Sequence, residues 1–308
     1  MKDYKYIYGP IPSRRLGRSL GIAPIPVKTC NYSCVYCQLG RTDKMTLTRQ
    51  MFYPVQDILA ELKDAIQGNI EYDVVSVVGN GEPTLYSGLG TLIQETRKYV
   101  AKPIAVITNG ALLYDSIVRS ELKGADIVMP SLDAYDEISF HQINRGHHGL
   151  SFERVLSGII EFSHEYTADL WLEIMIIAGV NDSDESLEKL RDLTKLIRFN
   201  RLYINTPIRP PAEPWVTAST PERLSRAACI LGGTSIEHFS PTPYQSGIDD
   251  DYRAVISLIG RHAMREQEII SFLRIRGNLT VDLILNQLKE DNDVEKIHYQ
   301  DTIIFRTK

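Results

Sequence analysis

Three of the four cysteines in this chain lie within the segment CNYSCVYCQLGRT, residues 30–42. Cys30, Cys34 and Cys37 are separated by three and then two residues. Thiolates on one short loop indicate zinc, a disulfide or an iron–sulfur cluster. A structural zinc ion takes four Cys or His ligands, and a disulfide leaves one of the three cysteines unpaired.

The rest of the chain supplies no obvious fourth ligand. His141 is the nearest histidine after the loop. Cys229 falls in a helical pattern, where we expect it to be a small buried hydrophobic residue. A [4Fe–4S] cluster fits better, because three thiolates leave one iron open to a small molecule. We therefore predict that Cys30, Cys34 and Cys37 bind such a cluster.

Short apolar runs alternate with amphipathic stretches of helical length, a pattern that indicates repeated βα units around a parallel sheet. It predicts an α/β fold, either a partial (βα)6 barrel of the TIM type or a doubly wound sheet, with ligand sites at the carboxyl ends of the strands. The strand candidates are 20–26, 73–79, 103–109, 125–132, 170–177 and 201–207, and the helix candidates are 54–67, 88–100, 115–122, 151–165, 184–198 and 220–231.

The residue composition changes near the C-terminus. Turn formers and acidic residues predict a linker over 241–251, which separates a barrel domain (1–240) from a tail (252–308). Three helical patterns followed by two strand-like runs predict a small winged-helix-like domain. Residues 261–308 carry eight basic and eight acidic side chains, so the basic footprint of a DNA-binding module is missing.

Composition indicates a globular chain: 308 residues, 43% hydrophobic, with a net charge of −5. No apolar run approaches the roughly 20 residues that span a bilayer, and no signal peptide is evident. We expect a cytoplasmic protein without membrane contact. Residues 1–50 carry nine Lys or Arg against two Asp, a surplus that either meets an anionic partner or belongs to a solvated lead-in strand.

The cysteine spacing, with Tyr36 before the last cysteine and a (βα)6 array behind it, resembles the radical S-adenosylmethionine (SAM) superfamily. The resemblance implies SAM on the open iron, an electron donor such as flavodoxin or ferredoxin, and cleavage of SAM to a 5′-deoxyadenosyl radical. A non-enzymatic winged-helix regulator, which would sense iron or oxygen through the cluster, is a weaker alternative.

Strand-end segments carry the resemblance further. GNGEP (79–83) resembles the Gly-Gly-Glu-Pro element that meets the methionine amino group, although Asn80 replaces its first glycine. ITNG (107–110), PSLDA (130–134) and IIAGVNDS (176–183) follow the next strands, where each polar residue is also a common turn or cap residue. The implied cofactor-binding residues are Tyr36, Gly79, Asn80, Gly81, Glu82, Asn109, Ser131, Asp133, Ile177, Gly179 and Asn181.

Within the superfamily, motifs over most of residues 8–216, including GEPTL and NTPIRPPAEPW, resemble the wyosine-synthase-related group, some of whose bacterial members carry a winged-helix tail. This implies transfer-RNA modification, with activation or modification of a protein or peptide as the alternative. That group uses a second cluster and a Schiff-base lysine, but only Cys229 remains for a cluster, and neither Lys28 nor Lys44 can be assigned as that lysine. Candidate substrate contacts are Arg145, His147, His148, Arg209 and Trp215.

Overall fold

The computed structural model describes residues 4–68, 70–236, 244–299 and 302–308. Each of the six predicted strands and six predicted helices forms, with ends that shift by a few residues. The strands before the tail are β1 Ile7–Ser13, β2 Gly17–Ile22, β3 Thr29–Cys30, β4 Lys44–Met45, β5 Val74–Val77, β6 Ile104–Thr108, β7 Ile127–Pro130, β8 Asp169–Met175, β9 Arg201–Asn205 and β10 Thr234–Ser235. The helices are α1 Val55–Gln67, α2 Leu89–Arg97, α3 Ser116–Leu122, α4 Glu137–Ile143, α5 Phe152–Glu165, α6 Asp184–Thr194 and α7 Pro221–Leu231.

The central sheet has the order β1-β2-β5-β6-β7-β8-β9-β10. Strands β2 and β5 to β10 are parallel, whereas β1 pairs antiparallel with β2 at the edge. The predicted α/β fold with a parallel central sheet is confirmed. Strand β1 was not predicted, because Pro10 and Pro12 interrupt its pattern and proline is tolerated only at sheet edges.

The sheet curls, so that its two edges approach each other. Arg14, in the turn between β1 and β2, donates to Oδ1 of Asn205 at the end of β9 (3.2 Å). Arg15 in the same turn pairs with Glu173 of β8. An apolar cluster fills the inside of the curve: Leu16, Val74, Ala105, Ile127, Met129, Trp171, Tyr203 and Ile236.

Helices cover the outer face and form the main core with it. Helix α5 is typical: Ser151 caps its N-terminus by accepting from the Arg154 N–H, and Val155, Ile159 and Phe162 are buried at three- and four-residue spacing. Cys229, expected to be buried on α7, is exposed, because the buried face of that helix falls on Leu224, Ala227 and Leu231. Among the described residues, no helix has the length and apolarity to cross a bilayer.

The tail contains three helices and a three-stranded sheet of order β11-β13-β12. Its strands β12 and β13 pair as the predicted hairpin, whereas β11 was not predicted. Its elements are α8 Asp251–Ile259, β11 Met264–Arg265, α9 Glu266–Ile275, α10 Val281–Glu290, β12 Val294–Tyr299 and β13 Thr302–Thr307. The boundary predicted at 240 and linker residues 241–243 lie outside the described residues. In the rest of the linker, Tyr244 and Ile248 are buried in the apolar cluster of the tail.

Arg209, a candidate substrate contact, is instead buried between the barrel and the tail. Its guanidinium makes a bidentate pair with Glu268 of α9, at 2.7 and 2.9 Å. Nη2 also donates to the Tyr244 hydroxyl and lies 3.2 Å from Nε2 of His262. Because breaking a buried pair leaves one charge without a partner, this contact holds the tail against the barrel.

His262 should make the stability of the protein depend on pH. Burial, and then the charges of Arg209 and Arg14, lower the pKa of His262 to about 3 from its ordinary 6.5. The folded state therefore resists a proton that the unfolded state accepts, so the contribution of His262 is complete above pH 6.5 and is lost as pH falls toward 3. Between pH 7 and pH 5 we expect it to remove about 2 kcal/mol from the free energy of unfolding.

Urea unfolding at the two pH values measures this loss. The variant H262Q cannot titrate, so its stability should fall less than that of the wild-type protein over the same interval. An equal fall in both proteins would contradict the prediction.

Candidate active site

Cys30 ends β3, and Cys34 and Cys37 lie on the loop that follows; all three are half-buried, and none forms a disulfide. Two turns shape the loop, because the Cys37 N–H donates to the Cys34 carbonyl and the Gly40 N–H donates to the Cys37 carbonyl (3.1 Å each). Val35 anchors it: the side chain is fully buried in an apolar cluster with Ile143, Ile177 and Val216. The apolar residue between the cysteines therefore fixes the loop to the barrel.

Side-chain amides donate to two of the sulfurs. Nδ2 of Asn109 lies 3.6 Å from Sγ of Cys30 and 2.6 Å from Oδ1 of Asn31. Nδ2 of Asn144 lies 3.7 Å from Sγ of Cys34. Hydrogen bonds to ligand sulfurs are one of the means by which proteins set the potential of an iron–sulfur cluster.

The donor set fits a [4Fe–4S] cluster better than a single ion. No three His, Cys, Asp or Glu side chains of the described residues converge on one ion position, whereas each thiolate of a cluster binds a different iron. Nδ2 of Asn31 is buried without a partner in the described part of the chain, so a donor beside Cys30 still needs an acceptor. Burial raises the pKa of Cys30 to about 12 and raises that of Cys34 well above its ordinary value, so binding of iron would release protons.

Asp133, predicted to bind the cofactor, accepts hydrogen bonds from the cysteine loop and from two neighbouring elements. Its Oδ2 accepts from the Tyr36 hydroxyl (2.5 Å) and from Nδ2 of Asn144 (2.9 Å), and its Oδ1 accepts from the Met175 N–H (2.9 Å). The side chain is 2% exposed; burial raises its pKa, and the three hydrogen bonds oppose that rise. Asp133 therefore joins the cysteine loop to α4 and β8.

The variant D133N tests this structural role. The asparagine NH₂ would face at least one of the three donors, so we expect the free energy of unfolding to fall by about 2 to 4 kcal/mol. Urea unfolding of the metal-free protein measures it, because a residue that only contacted the cofactor would leave that stability unchanged. The exposed Asp282 provides the matched control D282N, and equal stability of the two variants would contradict the role.

Glu82 joins the ends of β5 and β6. Its Oε1 accepts from the Thr84 N–H and hydroxyl (2.9 and 2.6 Å) and from the Thr108 hydroxyl (2.6 Å), and its Oε2 accepts from the Asn109 N–H (2.8 Å). Burial raises the pKa of Glu82, and these donors oppose the rise. Oε2 has a single donor, so it keeps acceptor capacity for a further one.

The glycines around Asn80 allow two loops to touch. A Cβ on Gly79 would lie 2.7 Å from the Ile25 side chain, and one on Gly81 would lie 1.9 Å from the Thr29 carbonyl oxygen. The Asn80 carbonyl accepts from the Lys28 N–H (2.5 Å). The Gly-Asn-Gly element is thus packed against the segment that leads into Cys30.

The segment after β8 is braced by Asn181, which is fully buried. Its Oδ1 accepts from the Ile177 N–H (2.8 Å), and its Nδ2 donates to the carbonyls of Asp133 and Met175. The exposed Gly179 adopts a left-handed φ of 69°. Ser131, at the end of β7, forms a bridge with Glu173 of β8.

At the rim, Glu213 clamps two loops. It accepts from Nε of Arg41 on the cysteine loop (2.9 Å) and from Nη1 of Arg145 (2.5 Å), so Arg145 is held in an ion pair. Arg41 and Arg145 lower the pKa of Glu213. The other candidate substrate contacts lie at the surface: the rings of His147 and His148 stack 4.1 Å apart, and Trp215 is 48% exposed.

The structure therefore brings Asn80, Asn109, Asp133 and Ile177 into contact with the cysteine segment, whereas Ser131 contacts Glu173 and Gly179 is exposed. It also shows three contributors that the sequence reasoning missed: Asn31, Asn144 and Glu213. The sequence carries no signal for these roles of Asn144 and Glu213, because Cys34 lies 110 residues from Asn144, and Arg145 and Arg41 lie 68 and 172 residues from Glu213. Asn31 could have been noticed as the residue next to Cys30.

Comparisons with known proteins place this geometry in context. The model of the Radical SAM superfamily matches residues 25–191. A UPF0026 protein of Methanocaldococcus jannaschii is 34% identical, over 97% of this chain and 94% of that protein.

Two solved structures resemble the fold. A radical SAM methyltransferase from Sphaerobacter thermophilus has a TM-score of 0.53 at 21% identity, over 70% of this chain and 65% of that one. SuiB of Streptococcus suis, bound to its precursor peptide SuiA, has a TM-score of 0.53 at 18% identity, over 68% of this chain and 45% of that one. At these identities the likenesses show the fold and not the substrate.

Proposed function

Because this chain belongs to the radical SAM superfamily, we propose that Cys30, Cys34 and Cys37 hold the [4Fe–4S] cluster that the superfamily uses together with SAM. When bound, the two cofactors supply reductive cleavage of SAM and a carbon radical that abstracts hydrogen from a substrate. The observation that carries the assignment is three unpaired cysteines on one anchored loop, two of them accepting from side-chain amides.

The chain's own residues position this chemistry. Asn109 and Asn144 orient two thiolates, and Val35 keeps the loop packed against the barrel. We assign the methionine ammonium to the Gly79–Glu82 element, because Oε2 of Glu82 keeps acceptor capacity.

We assign the remaining SAM contacts to groups that keep free hydrogen-bonding capacity. The side-chain NH₂ groups of Asn109 and Asn181 each make two hydrogen bonds within the protein, and Oδ2 of Asp133 already accepts two. We therefore assign the adenosine to Ser131 and to the backbone of residues 177–180. Tyr36 contributes by holding Asp133, because its hydroxyl already donates to Oδ2 of that carboxylate.

Reductive cleavage is directly measurable. Protein reconstituted anaerobically with iron and sulfide, then given dithionite and SAM, should release 5′-deoxyadenosine, which chromatography detects. A fully loaded cluster that leaves SAM intact under these conditions would contradict the proposed function.

We propose transfer RNA as the substrate, because the chain shares motifs with the wyosine-synthase-related group. The N-terminal segment offers RNA less free positive charge than its count of basic residues indicates. Four of its arginines pair with acids from elsewhere in the chain: Arg15 with Glu173, Arg18 with Asp73, Arg41 with Glu213 and Arg49 with Glu121. Binding to RNA that weakens steeply with salt would support this proposal.

This pairing favours a second candidate substrate, a protein or peptide. Such a substrate does not require a strongly basic face, so the neutralised arginines are no obstacle to it. Copurification of one protein partner without salt-dependent RNA binding would support this candidate. The regulator alternative predicts sequence-specific DNA binding without SAM cleavage.

A further inference from the structure

The last strand of the tail reaches the cysteine loop. Nη1 of Arg306, on β13, donates to the carbonyl of Gln38 (3.3 Å), the residue that follows Cys37. The Arg306 side chain is 20% exposed. A cation from the C-terminal end of the chain therefore lies beside one of the three cluster ligands.

The hairpin fixes this cation in place. Arg306 and Glu295 stand directly opposite each other in the β12–β13 register, and Nε of Arg306 donates to Oε2 of Glu295 (2.7 Å). The neighbouring Phe305 is fully buried. The Tyr299 hydroxyl at the end of β12 donates to the Pro207 carbonyl of the barrel (2.7 Å).

The third cysteine differs from the other two in its surroundings. Cys30 and Cys34 accept from the amides of Asn109 and Asn144. Beside Cys37 lies a cation instead, because Nη1 of Arg306 donates to the carbonyl of the next residue, Gln38. Two neutral donors and a cationic edge thus surround the loop.

We propose that Arg306 is a positioning residue that makes the tail an electrostatic part of the cluster site. The inference rests on the proposed function. Reduction adds one negative charge to the cluster, and a nearby cation stabilises that state, so Arg306 raises the reduction potential. Its position is largely sheltered from solvent, so the effect is only partly screened, although Glu295 offsets some of it.

Potentiometric titration followed by EPR of the reduced cluster tests this role. In R306Q the reduced-to-oxidised ratio at a fixed potential should fall several-fold, where tenfold corresponds to a shift of about 59 mV to more negative values for a one-electron couple. R306K keeps the charge and should stay near the wild-type value. R274Q removes an exposed arginine from α9 of the same tail and should not shift the potential.

A loaded R306Q cluster with the wild-type potential would overturn the inference while leaving the proposed function intact. Should R306Q lose the cluster, loading of R306K at the wild-type potential supports the role of the charge, and loss in both variants contradicts it. A wild-type protein that assembles no [4Fe–4S] cluster would instead refute the proposed function on which the inference rests.

Discussion

The variant C34A is expected to lose the cluster and with it all SAM cleavage. Cys34 lies between the other two ligands, and its sulfur accepts from Asn144 within the network centred on Asp133. Loss of outer partners alone typically lowers metal affinity 10- to 100-fold, so removal of a ligand should lower iron content by at least about tenfold. Iron and sulfide analysis, the visible absorption of the cluster and release of 5′-deoxyadenosine measure the effect.

The matched control is C229A, which removes the exposed cysteine of α7. It should load the cluster and cleave SAM as the wild-type protein does, so that a loss seen only in C34A belongs to the site. Retention of both cluster and cleavage in C34A would show that the three cysteines are not the ligands.

The variant G81A should be the most damaging substitution of a residue that binds no iron. Its new Cβ would lie 1.9 Å from the Thr29 carbonyl oxygen and 2.8 Å from the Thr29 carbonyl carbon. Both contacts are with backbone, so the two loops must separate, and the bond from the Glu82 N–H to the Thr29 carbonyl (3.1 Å) would break. We expect a loss of about 3 kcal/mol or more in the free energy of unfolding, together with poor cluster loading.

Urea unfolding of the metal-free protein measures the first effect, and iron analysis after reconstitution measures the second. G124A is the control, because its Cβ would lie 3.2 Å from a methyl group of Ile93 and 3.7 Å from the Glu121 carbonyl oxygen, the second an ordinary van der Waals contact. That variant should stay within about 1 kcal/mol of the wild-type protein. If G81A were as stable as G124A, the close approach of the two loops would not explain why position 81 is a glycine.

The two predictions address different parts of one arrangement. The strand-end residues expected to bind the cofactor also bind other residues of the site: Glu82 accepts from the Asn109 N–H, and Asp133 accepts from the Tyr36 hydroxyl. They fix the loop from which the cysteines project. Much of the polarity at the carboxyl edge of this sheet is therefore structural, and it leaves the backbone and a few free acceptors for SAM.

The tail has a comparable dependence on the barrel. Its helices and hairpin were predictable, because each needs only local periodicity and turn residues. Its position against the cysteine loop was not, because it depends on contacts such as Arg209 with Glu268 and Tyr299 with Pro207. Those pairs join parts of the chain that sequence spacing cannot relate.

The sequence by itself determined the three cysteines, the alternation of strands and helices, and the superfamily. Each of these depends on spacing within about 20 residues, where the chain's own geometry sets which side chains share a loop or a face. Only the tertiary structure decided that Asn144 donates to Cys34 and that Arg306 reaches Gln38, across 110 and 268 residues. Hydrogen bonds and ion pairs require atoms to meet within about 3 to 4 Å, and folding, not sequence order, brings such distant residues together.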